Sequence, residues 1–75
     1  MKFSKTDING VVLIEPSVIK DQRGYFLESF NMMEFEKEIG KVAFVQENES
    51  KSLKGVLRGL HFQKPPFAQA KLVRC

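Results

Sequence analysis

Short apolar runs separated by Gly, Pro, Asn and Asp dominate the chain, and this pattern predicts strands and turns. The dipeptide Asn9-Gly10 is typical of a tight turn, and it leads into the apolar run at 11–20. Pro16 interrupts that run, and because proline cannot donate to a strand ladder we predict an edge or a break there. The sequence DQRG at 21–24 predicts a second turn.

The run at 25–30 alternates as a strand does, so its side chains are predicted to point to two faces. One face would hold Tyr25, Leu27 and Ser29, and the other Phe26, Glu28 and Phe30. A carboxylate between two aromatic rings is unusual for a face that only packs in a core. This strand is therefore a candidate ligand-binding element.

One short helix is predicted at residues 31–39. Asn31 is a suitable N-cap, Glu34 follows three residues later as in a capping box, and Gly40 is a suitable stop. The helix would pack through an apolar face made of Met32, Phe35 and Ile39.

Three further runs, at 41–50, 55–63 and 67–75, are predicted as strands, with a turn at Lys64-Pro65-Pro66. Strands without crossover helices between them favour an antiparallel sandwich or barrel. The last run continues to Cys75 without a closing turn, which suggests a chain truncated within a sheet. The predicted fold is mainly β, with antiparallel strands and one short helix in a single domain.

The composition is that of an ordinary globular domain, with 75 residues of which 43% are hydrophobic and 28% charged. A chain below about 80 residues is rarely stable without a disulfide, a metal or a partner. An internal disulfide is excluded because Cys75 is the only cysteine, and a lone thiol suits a reducing compartment. We expect a cytoplasmic protein, since neither a signal peptide nor an apolar run long enough to span a membrane is visible.

Charge is distributed unevenly, although the formal net charge is only +3. Residues 1–50 hold six Lys or Arg and nine Asp or Glu, whereas residues 51–75 hold six cations and no acid. Such a segment attracts anions, but it is equally consistent with a solvated face. Nucleic acid is not the expected partner, because the cations are dispersed among apolar residues. A small phosphorylated ligand would need only two or three of them.

His61 is the only histidine, and an imidazole is the side chain best suited to accept a proton near neutral pH. A lone histidine is often structural, so residue types alone leave both roles open. Arg58 lies three positions before His61, so in a regular strand the two side chains would point to opposite faces unless Gly59 introduces a bulge. Lys71 is either exposed or directed at a ligand. A metal site is not expected, because a second histidine two positions after His61 is lacking.

Three blocks, DQRGYFLESF, FVQENESKS and GVLRGLHFQKPPFAQAKLVR, resemble the dTDP-4-dehydrorhamnose 3,5-epimerase family in order and spacing. The resemblance implies a cupin-type jelly roll and a homodimer with exchanged N-terminal strands. It also implies an isomerase that converts dTDP-4-dehydro-6-deoxy-D-glucose to dTDP-4-dehydro-L-rhamnose without metal or cofactor. Residues 1–75 would be the N-terminal portion of one such domain. This portion alone is expected to be inactive, because the family's Asp and Tyr partners lie outside it.

The resemblance also assigns roles to residues. His61 would be the base that removes protons next to the C4 ketone, and Lys71 would stabilise the enolate. Arg23 and Arg58 would bind the diphosphate, for which the guanidinium fork is well shaped. The expected nucleotide contacts are Phe26, Glu28, Gln46, Glu47 and Asn48. Of these, Glu47 stands where the family usually has an Asp.

Two alternatives stay open. The first is a non-catalytic piece of a cupin barrel, which either binds a nucleotide sugar or is purely structural. The second is a sister ketoisomerase or 3-epimerase of sugar nucleotides on the same scaffold.

Overall fold

The computed structural model describes residues 1–75, and these divide into two compact units. Unit 1 is Met1–Lys41 and unit 2 is Val42–Cys75. All regular secondary structure lies in unit 1, so the prediction of a mainly β chain with one short helix is confirmed. The helix is too short to cross a membrane. The elements are β1 (Lys2–Lys5), β2 (Val12–Glu15), β3 (Val18–Asp21), β4 (Gly24–Leu27) and α1 (Met32–Glu38).

Strands β1 and β2 form an antiparallel two-stranded sheet in which Phe3 pairs with Ile14. Val12, Ile14 and Phe3 are half-buried, while Leu13 on the other face is 52% exposed. This alternation follows from the two-residue period of a strand. The break predicted at Pro16 is confirmed, since β2 ends one residue before it and β3 starts at Val18.

The connection between β1 and β2 is closed by a threonine. Thr6 Oγ1 donates to the carbonyl oxygen of Val11 at 2.8 Å and accepts from the backbone N–H of Ile8 at 3.2 Å. The predicted turn at 9–10 is also confirmed, with Gly10 at φ +83°, a conformation that glycine adopts without steric cost. Polar side-chain bonds and glycine therefore fix the register of this hairpin.

Strands β3 and β4 form a second antiparallel pair, joined by the turn that was predicted at 21–24 and that the structure has at 22–23. Ile19 pairs with Phe26 and Asp21 with Gly24. Strand β4 ends at Leu27, so the strand predicted over 25–30 is too long. Residues 28–30 instead lead directly into the cap of α1, and the backbone leaves the sheet before Glu28.

Helix α1 is confirmed with the predicted cap and stop. Asn31 Oδ1 accepts from the backbone N–H of Glu34 at 3.1 Å, which satisfies one of the unpaired amides of the first turn. At the other end, the amides of Ile39 and Gly40 both donate to the carbonyl of Phe35, at 2.8 and 3.3 Å. Gly40 has φ +132° and ends the helix there.

Phe35 is the one buried hydrophobic side chain of the chain, with 6% of its surface exposed. Its ring lies 5.6 Å from that of Phe30, at an interplanar angle of 53°. The predicted packing face of α1 is only partly correct, because Met32 is 61% exposed and Ile39 39%. Unit 1 is too small to cover a whole helical stripe, so its core is centred on a single aromatic ring.

Unit 2 contains turns but no strand, so the strands predicted at 41–50, 55–63 and 67–75 are wrong for this structure. The turn predicted at 64–66 is present, with the amide of Phe67 donating to the carbonyl of Lys64 at 2.8 Å. A strand needs a neighbour for its N–H and C=O groups, and unit 2 provides none. Its apolar side chains are consequently exposed, among them Val45 (94%), Leu57 (89%) and Leu60 (107%).

Candidate functional site

The predicted site residues lie in both units, and each set is described within its own unit. Unit 1 carries Arg23, Phe26 and Glu28. Unit 2 carries Gln46, Glu47, Asn48, Arg58, His61 and Lys71.

Arg23 lies in the turn between β3 and β4, with 90% of its side chain exposed. Asp21 Oδ2 accepts from Arg23 Nη2 at 2.6 Å and from Nε at 3.2 Å, and Asp21 Oδ1 accepts from the Arg23 amide at 2.8 Å. One carboxylate therefore fixes both the turn and the guanidinium. The Nη1 group is left available to an anion.

Asp21 was not predicted as a site residue, although the sequence contained the signal. An Asp two residues before an Arg in a turn commonly accepts a bond from that residue's amide. The same pairing lowers the pKa of Asp21, first through the side-chain hydrogen bond from Arg23 and then through the backbone one. Both donors favour the charged carboxylate.

This pKa shift predicts how the hairpin responds to acid. Because the folded-state pKa of Asp21 is lowered, the pairing stabilises the hairpin above the ordinary aspartate pKa and is lost as the pH falls through the lowered value. We expect a carbon-detected NMR titration of the Asp21 carboxyl to have its midpoint below the ordinary aspartate pKa. Arg23→Ala should raise that midpoint only part of the way, since the amide of residue 23 still donates. A midpoint unmoved by Arg23→Ala would contradict the assignment.

Phe26 and Glu28 do not share a strand face as predicted. Phe26 lies on β4 and is 68% exposed, whereas Glu28 follows the strand. Glu28 Oε1 accepts from Asn31 Nδ2 at 3.2 Å, so its carboxylate is tied to the N-cap of α1. Asn31 thus contacts the helix with its oxygen and the end of the β3–β4 hairpin with its nitrogen.

In unit 2 the amide-bearing residues of the 46–48 run contact each other. Gln46 Nε2 donates to Asn48 Oδ1 at 3.2 Å, while Glu47 between them is exposed. The bond joins side chains two positions apart, so the two amides lie on the same side of the segment. Gln46 Oε1 and Asn48 Nδ2 remain as an acceptor and a donor of the kind that a nucleobase edge requires.

Arg58 is held by a loop of its own unit. Its Nε donates to Ser52 Oγ at 2.6 Å, and its Nη2 donates to the carbonyl of Lys51 at 3.2 Å. Ser52 was not among the predicted site residues, and its separation of six residues from Arg58 matches no regular spacing. Both arginines assigned to the diphosphate therefore have Nε and Nη2 engaged and Nη1 available.

His61 and Lys71 are both exposed, and no hydrogen bond or ion pair joins them. Gly59 has φ +120°, a conformation that favours glycine, but the segment is not part of a sheet, so the condition that a strand bulge at Gly59 would bring Arg58 and His61 to one face does not arise. Lys71 likewise lies outside any strand, although the run at 67–75 was predicted as one. Within unit 2 the imidazole has no carboxylate partner.

Comparison with known proteins shows the family to which the chain belongs. A family model described as dTDP-4-dehydrorhamnose 3,5-epimerase matches residues 5–75. The chain belongs to this family. The resemblance seen in the three sequence blocks is thereby confirmed, and the matched range includes every predicted site residue.

Relatives that match this chain are described as 3,5-epimerases or as a 3-epimerase of the same sugar. The chain is 59% identical over 76 residues to the dTDP-4-dehydrorhamnose 3,5-epimerase of Shigella flexneri, covering 100% of this chain and 42% of the relative. It is 60% identical over 72 residues to that of Salmonella typhimurium, covering 95% and 39%. A dTDP-4-dehydrorhamnose 3-epimerase of Streptomyces niveus is 40% identical over 76 residues, covering 100% and 37%. The chain thus spans about 40% of the length of these relatives.

Proposed function

We propose that this chain supplies the base and the diphosphate-binding arginines of an enzyme that converts dTDP-4-dehydro-6-deoxy-D-glucose to dTDP-4-dehydro-L-rhamnose. The family match over residues 5–75 carries the proposal, because it includes His61, Lys71 and both arginines. The held guanidinium groups of Arg23 and Arg58 add support, since each keeps one nitrogen available for an anion.

The chemistry requires a base, a stabilised enolate and an acid. A carbon next to a ketone is inverted when a base removes its proton on one face and an acid returns a proton on the other. His61 acts as the base in its neutral form, and the Lys71 ammonium stabilises the negative charge that develops on the ketone oxygen. The tautomer of an imidazole base is usually held by a carboxylate, and unit 2 places none on His61. We therefore expect the 75-residue chain alone to be inactive.

Substrate binding is assigned to the remaining residues. Arg23 and Arg58 contact the diphosphate, and a guanidinium recognises two phosphate oxygens at once. The nucleotide is contacted by Phe26, Glu28, Gln46, Glu47 and Asn48. No metal or cofactor takes part in this scheme.

The decisive test is product stereochemistry in a chimera. In this chimera the 75 residues replace the matching part of the Shigella flexneri relative, which supplies the rest of the length. Incubation with dTDP-4-dehydro-6-deoxy-D-glucose should give a product inverted at both carbons next to the ketone, as read by proton NMR. A chimera that folds but leaves the sugar unchanged would contradict the proposal. It would favour the alternative that these residues are a non-catalytic piece of a cupin barrel.

A second candidate is a 3-epimerase. It is favoured by one observation, the 40% identity over the whole chain to a relative that is named a 3-epimerase. Inversion at only one of the two carbons would support this candidate. A shift of the keto group along the ring would instead identify a sister ketoisomerase.

We also propose that residues 1–75 form part of one cupin-type jelly-roll domain in a cytoplasmic protein that forms a homodimer with exchanged N-terminal strands. The β1–β2 sheet has only two strands, so both of its edges are open to pairing. The lone cysteine suits the reducing cytoplasm.

Dimer formation leads to a prediction about mass in solution. Light scattering on the chain at micromolar concentration should give about twice the monomer mass of 8.6 kDa. Deletion of residues 1–5 removes β1 and should shift the mass toward the monomer. A monomeric mass for the intact chain would contradict the exchange of strands.

A further inference from the structure

The loop at 51–58 folds back on itself in a way that the family match does not explain. Its turn is closed by a bond from the amide of Val56 to the carbonyl of Leu53 at 3.2 Å. Gly55 supplies the conformation that this reversal needs, with φ +87°. The reversal returns the chain toward its start and brings Arg58 against residues 51 and 52.

Two neutral oxygen atoms hold the Arg58 guanidinium at one edge. Nε donates to Ser52 Oγ at 2.6 Å, and Nη2 donates to the Lys51 carbonyl at 3.2 Å. A guanidinium has five N–H groups, so three remain, two on Nη1 and one on Nη2. One N–H of Nη1 and the remaining N–H of Nη2 form the terminal edge, which has the right shape for two oxygens of a phosphate group.

The charge of Arg58 is not compensated by these contacts. The partners are a hydroxyl and a carbonyl, whereas Arg23 is paired with the carboxylate of Asp21. Residues 51–75 contain no acid, and Lys51 and Lys54 add positive charge to the same loop. The loop therefore presents an oriented and uncompensated cation.

We propose that Ser52 is a positioning residue, whose hydroxyl orients the Arg58 guanidinium so that its outer edge meets the substrate's diphosphate. This role rests on the proposed function, which places the diphosphate at Arg58. Holding the side chain before binding reduces the rotamer entropy lost when the anion arrives. Removal of the hydroxyl should therefore weaken anion binding without any change in net charge.

The test compares three variants of the 75-residue chain. Ser52→Ala removes the acceptor, Ser52→Thr retains a hydroxyl, and Ser50→Ala is the matched control in the same segment. Calorimetry with dTDP and with inorganic pyrophosphate should show affinity about two- to tenfold weaker for Ser52→Ala. Ser52→Thr should recover most of that loss, and Ser50→Ala should bind as the wild type does. The Nε–H signal of Arg58 in a proton–nitrogen spectrum should exchange with water faster in Ser52→Ala only.

The outcomes separate this proposal from the proposed function. Wild-type binding of dTDP together with unchanged affinity and unchanged Nε–H exchange in Ser52→Ala would overturn the role of Ser52 and leave the nucleotide site intact. Binding of pyrophosphate but not of dTDP, with loss in Ser52→Ala, would support the role of Ser52 and count against the nucleotide site. A wild-type chain that binds neither anion would overturn both.

Discussion

His61→Ala is expected to lower the rate of epimerisation by about 10²- to 10⁴-fold, which is the usual contribution of a positioned general base. The expectation applies to the chimera in which the Shigella flexneri relative supplies the rest of the chain. KM for the dTDP sugar should change little, because the substitution leaves Arg23 and Arg58, the proposed diphosphate contacts, unchanged. The measurement is the initial rate of product formation followed by NMR over a range of substrate concentrations.

A matched control is available two residues further along the same segment. Gln63→Ala changes another exposed polar side chain and should leave the rate within about threefold, the range of an ordinary surface substitution. A His61→Ala chimera that retains more than a tenth of the rate would show that another group removes the proton. An equal loss in both variants would indicate damage to the segment rather than loss of a base.

Phe35→Ala is expected to abolish the folded structure of unit 1. Phe35 is its one buried hydrophobic side chain, and truncating a buried phenylalanine to alanine typically costs about 3–5 kcal/mol. Whole domains are stable by only about 5–15 kcal/mol, and a unit of this size lies at the low end. Far-UV circular dichroism should show loss of the helical signal, and amide exchange in 32–38 should become fast.

Met33→Ala provides the control on the same helix, since Met33 is 80% exposed. It removes a side chain of similar volume from the solvent side and should change stability by about 0.5 kcal/mol or less. If Phe35→Ala kept the helical signal and the amide protection of the wild type, the placement of the core around Phe35 would be contradicted. Phe35→Leu should give an intermediate loss, because it retains part of the buried apolar surface.

Local elements could be predicted from the sequence because their determinants are close together in the chain. Asn31 and Gly40 mark the ends of α1 through bonds to residues within five positions. The turns at 9–10 and 21–24 are likewise set by glycine and short polar side chains. Strands at 41–50, 55–63 and 67–75 could not be predicted reliably, because a strand depends on a partner that local pattern does not reveal.

The sequence predicted which residues belong to the site but not the contacts that hold their side chains. Sequence blocks located Arg23, Arg58 and His61, but the side chains that hold the two arginines came from the structure. Asp21 is two residues from Arg23 and matches a known turn, so its role could have been anticipated. Ser52 reaches Arg58 through an irregular loop, and no sequence periodicity indicates that contact.

Solvent deuterium exchange tests the central claim most directly, because it follows proton removal itself. The wild-type chimera in D₂O should incorporate deuterium into dTDP-4-dehydro-6-deoxy-D-glucose at both carbons next to the ketone, and His61→Ala should incorporate it about 10²- to 10⁴-fold more slowly. No exchange by the wild-type chimera, or exchange undiminished by His61→Ala, would contradict the assignment of His61 as the base.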